Sequence, residues 1–450
     1  MSPSPRLPAQ QRTALCTASA QVRITALADA GSAEFFPPAG ASPHVGRFGI
    51  AARDDDGIAI ARVRLHGEPM LVAAQDEHYL AGSVGEMHGK ALHAMLEAAR
   101  RERAAGIVLL AASGGVRLHE ANAAELALAR ALSALLDARA QGVPVMVIGV
   151  ASVFGGTSVL ASAADRLALL PGTRIGLSGP RVLESVHGKW ELDADDARDV
   201  DAVFGASARN ASGVAELVAD DADAVRAWIA RAAREHYDFA ASVAEMHARL
   251  AVRVGAATSH APPFDLLPCF EGAAPVDNQG RLWRRAECWL TRPNHDAALG
   301  PADAHALSGA LLAHVATDGL RAPVVLVEDS AGHAVSRAAE MQFMSQFLAH
   351  HAAVLALLRA RGTRLVGLLA GVGHSAAFFA NALQAPQLYA LPQARVVAME
   401  PQALARITGL PVHALVVDDP LLGQSVRHFA AQGGVTAVIE EASLQAMGLG

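Results

Sequence analysis

Three stretches of the sequence place small residues where an apolar run gives way to a helical pattern. Gly114 and Gly115 lie in "LLAASGGVRLHEANA", Gly155 and Gly156 lie in "VFGGTSVLASAAD", and Gly373 lies in "AGVGHSAAFFANA". Glycines at the start of a helix let a ligand approach the backbone closely, and the first amides of a helix have no partner within it. Each turn can therefore bind an oxyanion through main-chain amides.

The segments before these turns have the pattern of buried strands. Short, nearly continuous apolar runs such as "GIVLLAA" and "PVVLVED" are typical of strands that are covered on both faces. Residues 140–164 and 365–394 carry no charged side chain and could be mistaken for membrane spans. Glycines, prolines and polar residues interrupt both stretches, so we predict a buried strand, a turn and a buried helix in each.

The same order of elements occurs twice along the chain, about 220 residues apart. The segment "AAGIVLLAASGGVRLHEANA" corresponds in this way to "RAPVVLVEDSAGHAVSRAAE". The chain is therefore predicted to contain two copies of one α/β design, the first over residues 1–262 and the second over residues 263–450. Residues 252–277, which are rich in proline and glycine, mark the junction.

Composition excludes several classes of function. The 450 residues fit two domains, and a net charge of −7 without any Lys/Arg-rich block argues against nucleic-acid binding. Lysine occurs only at Lys90 and Lys189, and neither follows the Gly-Lys-Ser/Thr pattern of a phosphate-binding loop. Neither lysine lies between methionines, as a biotin-carrying lysine would.

The cysteines and the start of the chain indicate where the protein works. Cys16, Cys269 and Cys288 are odd in number and form no C-x-x-C pair, which favours a reducing compartment. The first residues contain no continuous apolar core followed by a cleavage site, so we expect a cytoplasmic protein. The segment "HGKALH" lacks the H-E-x-x-H spacing, so no metal is predicted.

Longer motifs resemble a known family. "AGSVGEMHG", "GGVRLHEANA" and "GVPVMVIGVASVFGGTSVLASAADRLALLPGTRIGLSGP" are similar to the β subunit of biotin-independent malonate decarboxylase. "RAECWLTRPNHDAALGPADAHALSGALLAHV", "GVGHSAAFFANALQAPQLYAL" and "VVAMEPQALARITGLP" resemble its γ subunit. The chain therefore resembles a β/γ fusion, most strongly over residues 78–185.

The resemblance implies a fold, a reaction and partners. The expected fold is α/β, with two crotonase-like β-β-α spiral domains of the carboxyltransferase type and a site between them. The expected reaction converts a malonyl thioester to an acetyl thioester and CO2 through an enolate. No cofactor is bound covalently to this chain, since a CoA-like prosthetic arm on an acyl-carrier subunit brings the substrate. An acyl-transferring subunit is a further expected partner, the complex is expected to be oligomeric, and no membrane is involved.

Site residues follow from combining the motifs with this chemistry. An enolate needs well-placed N–H donors, and removing one such donor typically costs about 2.7–4 kcal/mol of barrier. The predicted catalytic residues are Gly114, Gly115, Gly155 and Gly156 around the thioester oxygen, and Gly373, His374, Ser375 and Ala376 around the carboxylate. The predicted substrate-binding residues are Ser83, Val84, Gly85, Arg117, Ser178 and Gly179.

Two of these residues have alternatives. His374 could donate the proton that quenches the enolate, or water could do so. Arg117 could meet a carboxylate or the phosphates of the carrier arm, or it could pair with Glu120. The second half has Ser375-Ala376 where the family turn commonly reads Ser-Gly.

Three rival functions remain open at the level of sequence. A carboxyltransferase that passes the carboxyl group to biotin on a separate protein would share the fold and the enolate. A scaffold that kept the fold without turnover is a second rival. An enoyl-CoA hydratase would need two carboxylates in the site, and no glutamate pair stands at the expected turns.

Overall fold

A computed structural model describes residues 14–255, 267–285, 288–292, 294–295, 297–319, 321–415 and 419–449. The predicted boundary between residues 262 and 263 lies outside these residues and stays a prediction. No helix in the described ranges is long and apolar enough to cross a lipid bilayer.

The first half contains one sheet and its surrounding helices. Its strands are β1 (Glu34–Phe35), β2 (Ile58–Leu65), β3 (Glu68–Gln75), β4 (Gly106–Ser113), β5 (Val145–Val153), β6 (Arg166–Leu169) and β7 (Glu216–Leu217). Its helices are α1 (Ala20–Leu27), α2 (Glu86–Glu102), α3 (Ala121–Ala140), α4 (Gly156–Ser162), α5 (Pro180–His187), α6 (Ala197–Phe204), α7 (Ala206–Ala211), α8 (Ala222–Ala232) and α9 (Phe239–Val254).

The second half repeats this plan. Its strands are β8 (Ala274–Pro275), β9 (Leu282–Arg284), β10 (Trp289–Thr291), β11 (Val324–Glu328), β12 (Leu365–Leu369), β13 (Val372–His374), β14 (Gln387–Ala390), β15 (Arg395–Val397) and β16 (Ala437–Val438). Its helices are α10 (Pro301–Ala310), which continues as a π-helical turn (Leu311–Val315), α11 (Arg337–Met341), α12 (Met344–Ala360), α13 (Ser375–Ala380), α14 (Pro401–Thr408) and α15 (Val426–Ala431).

The two main sheets have matching topology. Among the described residues, the first sheet runs in the order β1-β2-β3-β4-β5-β6-β7 and the second in the order β8-β9-β10-β11-β12-β14-β16. In both, the first three strands pair antiparallel and the remaining pairs are parallel. This correspondence confirms the predicted repeat and the α/β class.

The two halves pack against each other through two central helices, one from each half. α3 and α12 are buried along nearly their whole length, as expected for helices that are enclosed by protein. One continuous core joins Leu128 and Leu132 of α3 to Phe347 and Leu348 of α12. The uncharged stretches therefore form β5 with α4, and β12 with β13 and α13, as predicted.

Candidate active site

A cavity of about 650 Å³ lies where loops of the two halves meet. Its walls include nine of the predicted site residues, namely Gly114, Gly115, Gly155, Gly156, Ser178 and Gly179 of the first half and His374, Ser375 and Ala376 of the second. The structure thus brings together turns that are more than 200 residues apart in sequence. Gly373, Ser83, Val84, Gly85 and Arg117 do not belong to this lining.

The two glycine turns of the first half touch each other. A Cβ on Gly155 would lie 3.0 Å from the Cα of Gly115, and a Cβ on Gly115 would lie 3.3 Å from the Cα of Gly155. Both residues have positive φ, 104° for Gly115 and 61° for Gly155. Glycine is therefore required at both positions, for conformation and for space.

Three of the predicted amide donors are already used within the protein. Gly114 N donates to Ala81 O at 2.8 Å, and Gly155 N donates to Leu177 O at 3.0 Å. Gly115 N donates to Ser113 Oγ at 3.1 Å. These contacts correct the assignment of Gly114, Gly115 and Gly155 as donors to a ligand, because each N–H can serve only one strong acceptor.

The free donors lie one residue further along each turn. Val84 forms a parallel bridge with Val116, in which Val84 N donates to Gly115 O and Arg117 N donates to Val84 O. This pattern leaves the amide of Val116 itself without a partner among the described residues. Gly156 N, at the start of α4, is likewise unpartnered in the described part of the chain. Both residues line the cavity.

The second half repeats this arrangement. Leu299 bridges His333 in parallel, with Leu299 N donating to Gly332 O at 2.7 Å and Ala334 N donating to Leu299 O at 3.0 Å. His333 N is therefore the counterpart of Val116 N. Ala376 N corresponds to Gly156 N, since Ser375 shares the positive φ of Gly155.

Sequence reasoning missed the turn at Gly332 and His333, although its strand had been matched to the first half. Gly332 N approaches Ser330 Oγ at 3.4 Å, as Gly115 N approaches Ser113 Oγ. The matched segments "AASGGV" and "EDSAGH" share only the serine and the second glycine of the turn. Extending the repeat residue by residue would have found it.

Gly373 lies outside the cavity lining and has a packing role. A Cβ there would lie 2.9 Å from Phe378 Cγ and 3.0 Å from Leu369 Cδ1, so the position is filled by core. The neighbouring His374 lines the cavity, and its ring packs on Gly332. Burial lowers the pKa of His374 below its usual value, so its imidazole is neutral at pH 7.

Ser178 and Gly179 form part of the cavity wall, where the sequence predicted them. The second half holds them in place, because the fully buried Glu340 accepts Ser178 N at 2.6 Å and Leu177 N at 3.1 Å. Ser178 Oγ also contacts His333 Nε2 at 3.1 Å. Burial raises the pKa of Glu340 to about 7.

The remaining predicted residues of the first half lie outside the cavity lining and contact the backbone next to Val116. Arg117 is fully buried and is ion-paired with Asp56 at 2.5 Å and Glu120 at 2.9 Å. It also donates to Ser83 O at 3.0 Å, while a Cβ on Gly85 would lie 2.3 Å from its Nη1. Arg117 therefore fixes the backbone next to Val116, and its predicted contact with substrate is replaced by the alternative pairing with Glu120.

Two acidic residues of the cavity lining were not among the predicted site residues, the buried Glu125 and the exposed Glu400. Glu125 of α3 is 3% exposed and lines the cavity, and its Oε2 has no hydrogen-bond partner among the described residues. Burial, together with the nearby carboxyl of Glu328, raises its pKa to about 8. Glu328 accepts Ser330 Oγ at 2.8 Å and Asn381 Nδ2 at 2.7 Å outside the lining, so the two carboxyls do not form a two-carboxylate hydratase site.

Within the described residues, a single cluster has metal-ligand spacing, and it lies outside the cavity lining. Asp76, Glu77 and His78 place one ligand atom each within 4.8 Å of the others. Asp76 is ion-paired with Arg53 at 2.8 Å and Glu77 with Arg23 at 2.5 Å. These arginines already supply the positive charge that a cation would bring.

Two sequence families match the chain. The family described as carboxyl transferase domain matches residues 17–243, about half of the chain. The family described as malonate decarboxylase gamma subunit matches residues 294–449. The two matches lie in the two repeats of the fold.

Individual relatives agree with these families. A malonyl-S-ACP:biotin-protein carboxyltransferase from Malonomonas rubra is 32% identical over 197 residues, which cover 40% of this chain and 62% of that protein. An acetyl-coenzyme A carboxylase carboxyl transferase subunit beta from Phenylobacterium zucineum is 36% identical over 135 residues, which cover 29% of this chain and 43% of that protein. The chain thus spans less than two thirds of the length of these curated relatives.

One solved structure contains a chain with the same sequence identity to this chain as the Malonomonas rubra relative. A chain of a Pseudomonas malonate decarboxylase hetero-tetramer in complex with malonate is 32% identical to this chain. The match has a TM-score of 0.50 and covers 55% of this chain and 94% of that chain.

Proposed function

This chain belongs to the carboxyltransferase family, with two crotonase-like α/β halves related to malonate decarboxylase subunits, and we propose that it decarboxylates a malonyl thioester. The substrate is bound to an acyl-carrier protein, and the products are the acetyl thioester and CO2.

One observation carries this proposal: two pairs of main-chain amides, one from each half, line the same cavity and have no hydrogen-bond partner among the described residues. Val116 N and Gly156 N form the first pair, and His333 N and Ala376 N form the second. Loss of CO2 moves negative charge from the malonyl carboxylate to the thioester oxygen. The first pair would stabilise the enolate oxygen, and the second would hold the carboxylate until it leaves. Each donor to a developing oxyanion contributes about 2.7–4 kcal/mol.

The cavity mouth suits a substrate on a long arm. Arg406 of α14 lines the mouth, is exposed, and has no hydrogen bond or ion pair with other described residues. A guanidinium there would bind a phosphate of a CoA-like prosthetic arm. Val186 of α5 and Ile407 of α14, which also line the cavity, add exposed apolar surface.

The proposal includes partners, location and domain limits. The prosthetic arm would come from an acyl-carrier subunit, and an acyl-transferring subunit would load it, within an oligomeric complex in the cytoplasm. A hetero-tetrameric assembly of the Pseudomonas relative supports complex formation. Residues 1–262 and 263–450 would be the β-like and γ-like domains.

A second candidate function is transfer of the carboxyl group to biotin on a separate carrier protein. The Malonomonas rubra relative favours it, because its name describes this reaction. Both reactions need the same enolate and the same amides, and they differ in the fate of CO2.

The test is an assay of CO2 release from malonyl-carrier protein by the full chain, with and without a biotinylated carrier protein. Release of CO2 without biotin supports decarboxylation. Loss of the malonyl carboxyl group only when the biotin carrier is present, with that group recovered as carboxybiotin on the carrier, supports transfer. Gly156→Val should abolish either activity, since a larger side chain meets Leu128 Cδ2 and Phe379 beside the amide. Gly46→Val is the matched control, because Gly46 has no positive φ, a Cβ there meets no atom within 4 Å, and the residue lies outside the cavity lining.

A further inference from the structure

Glu125 stands where the two halves meet. It lies in the second turn of α3, one helical turn before Leu128, whose Cδ2 packs against Gly156. Its side chain lines the same cavity as Gly156, Ala376 and Phe379, and α3 packs against both α4 and α13, whose first turns carry Gly156 N and Ala376 N. A substrate held in this cavity would therefore lie next to the carboxyl of Glu125.

A buried polar atom without a partner normally costs free energy, so its persistence calls for an explanation. Glu125 is 3% exposed, and its Oε2 finds no donor among the described residues. No cation is among the groups that act on its charge, which are burial and the carboxyl of Glu328. A buried carboxyl without a cation nearby is favoured in its neutral, protonated form.

We propose that Glu125 is the catalytic acid that delivers a proton to the substrate carbon from which CO2 departs. This inference rests on the proposed function and names the proton donor of that reaction. Its basis is the position of a buried carboxyl, without a hydrogen-bond partner for Oε2 among the described residues, in the cavity that both pairs of amides line.

The electron and proton balance is simple. The C–C bond to the carboxylate breaks, its electron pair forms the enolate C=C bond, and the thioester oxygen takes the negative charge. The enolate carbon then forms a C–H bond with the proton from Glu125, and the C=O bond is restored. Glu125 is left as a carboxylate, and water from the cavity returns one proton before the next turnover.

The two histidines of the cavity are less suitable as acids. His374 would need the charged imidazolium form to donate. Glu400, whose Oε1 lies 3.7 Å from His374 Nε2, favours that form, but burial outweighs it and lowers the pKa of His374. His333 is also kept neutral, because burial and His374 lower its pKa to about 4. Glu125 has the opposite tendency, since burial holds it in the protonated form up to about pH 8.

A neighbouring carboxyl offers a way to change the pKa of Glu125 without replacing Glu125 itself. Glu328 at the end of β11 is the charged neighbour, and it is fixed by Ser330 and by Asn381, which in turn contacts His351 of α12 at 3.1 Å. Replacing Glu328 by Gln removes a like charge and should lower the pKa of Glu125. The alkaline limb of the activity profile should then move to lower pH.

The experiment compares the full wild-type chain with Glu125→Gln, Glu328→Gln and Glu245→Gln. Glu245 is an exposed residue of α9 outside the lining and serves as the matched control for the carboxyl-to-amide change. One readout is CO2 release from malonyl-carrier protein. The second is exchange of the methyl protons of acetyl-carrier protein with D2O, which requires the same proton transfer in reverse. Melting temperatures verify that each variant is folded.

We expect Glu125→Gln to lose about 100-fold or more in both readouts, the usual contribution of a general acid. We expect Glu245→Gln to retain both. Exchange by Glu125→Gln within twofold of wild type would overturn the role of Glu125 while leaving decarboxylation in place. Wild-type exchange that depends on Glu125 without CO2 release would support the proton donor and overturn the proposed function.

Discussion

Gly115 and Gly155 bring two loops of the first half into backbone contact, with a Cβ on Gly155 lying 3.0 Å from the Cα of Gly115. The contact places Val116 N and Gly156 N, which follow these glycines, beside the same space. Gly115 and Gly155 thus let the two loops approach each other closely. The amides that are proposed as donors belong to the residues that follow them.

Gly155→Ala should therefore impair both stability and activity. Gly155 has φ 61° and ψ −145°, close to a region that glycine almost alone occupies, and a side chain there costs about 1–3 kcal/mol. A Cβ at Gly155 would also push the two loops apart and displace the amides that follow the glycines. We therefore expect kcat/KM to fall at least about tenfold, the equivalent of 1.4 kcal/mol. Chemical denaturation and steady-state kinetics measure the two effects.

Gly172→Ala is the matched control for this variant. Gly172 has a φ of +82°, yet a Cβ there meets no atom within 4 Å. Its replacement should lower stability without lowering kcat/KM. Equal losses of kcat/KM in both variants would contradict the importance of the contact between the loops.

Glu340→Gln should weaken substrate binding through the cavity wall. The carboxylate of Glu340 accepts two main-chain amides, Leu177 N and Ser178 N, whereas an amide side chain would turn its NH2 towards one of them. A buried N–H left without an acceptor costs about 1–3 kcal/mol. We expect a higher KM for malonyl-carrier protein and a lower melting temperature.

Glu191→Gln provides the comparison for Glu340. Glu191 Oε1 also accepts a main-chain amide across the two halves, Arg337 N at 2.7 Å, but it does not line the cavity. This variant should leave KM unchanged. An equal rise in KM would mean that general loosening between the halves, rather than the wall at Ser178, sets binding.

Arg406→Ala should weaken binding of malonyl-carrier protein, whose CoA-like arm carries the phosphate that Arg406 is proposed to meet. An exposed charge pair is worth up to about 1 kcal/mol, so we expect a rise in KM of up to about fivefold and little change in kcat. The difference from wild type should shrink at high salt. Arg427→Ala on α15 is the control, since Arg427 is exposed outside the lining. A salt-independent effect would point to packing instead of charge.

Sequence patterns predicted the repeated strand, turn and helix units because these units are local. The apolar run of β4 and the glycines after it lie within ten residues of one another, so periodicity and turn chemistry suffice. Which amide of a turn is free is a different matter. The bridge between Val84 and Val116 decides it, and that bridge joins segments about 30 residues apart.

The sequence also does not show which residues of one half are buried by the other half. Glu125 lies in "ANAAELALAR", where a single acidic residue has the pattern of a solvent-facing position. α13 and α12 cover this side of α3, so its environment depends on residues more than 200 positions away. Arg117 is buried within the first half, where it pairs with Asp56 and with Glu120, the partner that the sequence offered as an alternative to substrate.

The stability of the protein should depend on pH through Glu125. Its pKa is raised from 4.5 in the unfolded chain to about 8 in the folded one. A group with a raised pKa contributes stability that is fully present below the unfolded pKa and is lost as the pH rises through the folded pKa. Stability due to Glu125 should therefore decline between about pH 4.5 and pH 8.

Glu125→Gln removes this decline, because a glutamine side chain does not ionise. The variant should be about as stable as wild type at pH 5 and more stable at pH 8.5, by an amount on the order of several kcal/mol at about 1.4 kcal/mol per pH unit. Glu328 and Glu340 also have pKa values raised to about 7, but they are present in both proteins and largely cancel in the difference. Urea unfolding at the two pH values measures the effect, with Glu245→Gln as the control. A difference between Glu125→Gln and wild type that stays constant with pH would show that Glu125 is not a buried neutral acid, and its proposed role as proton donor would then lose its physical basis.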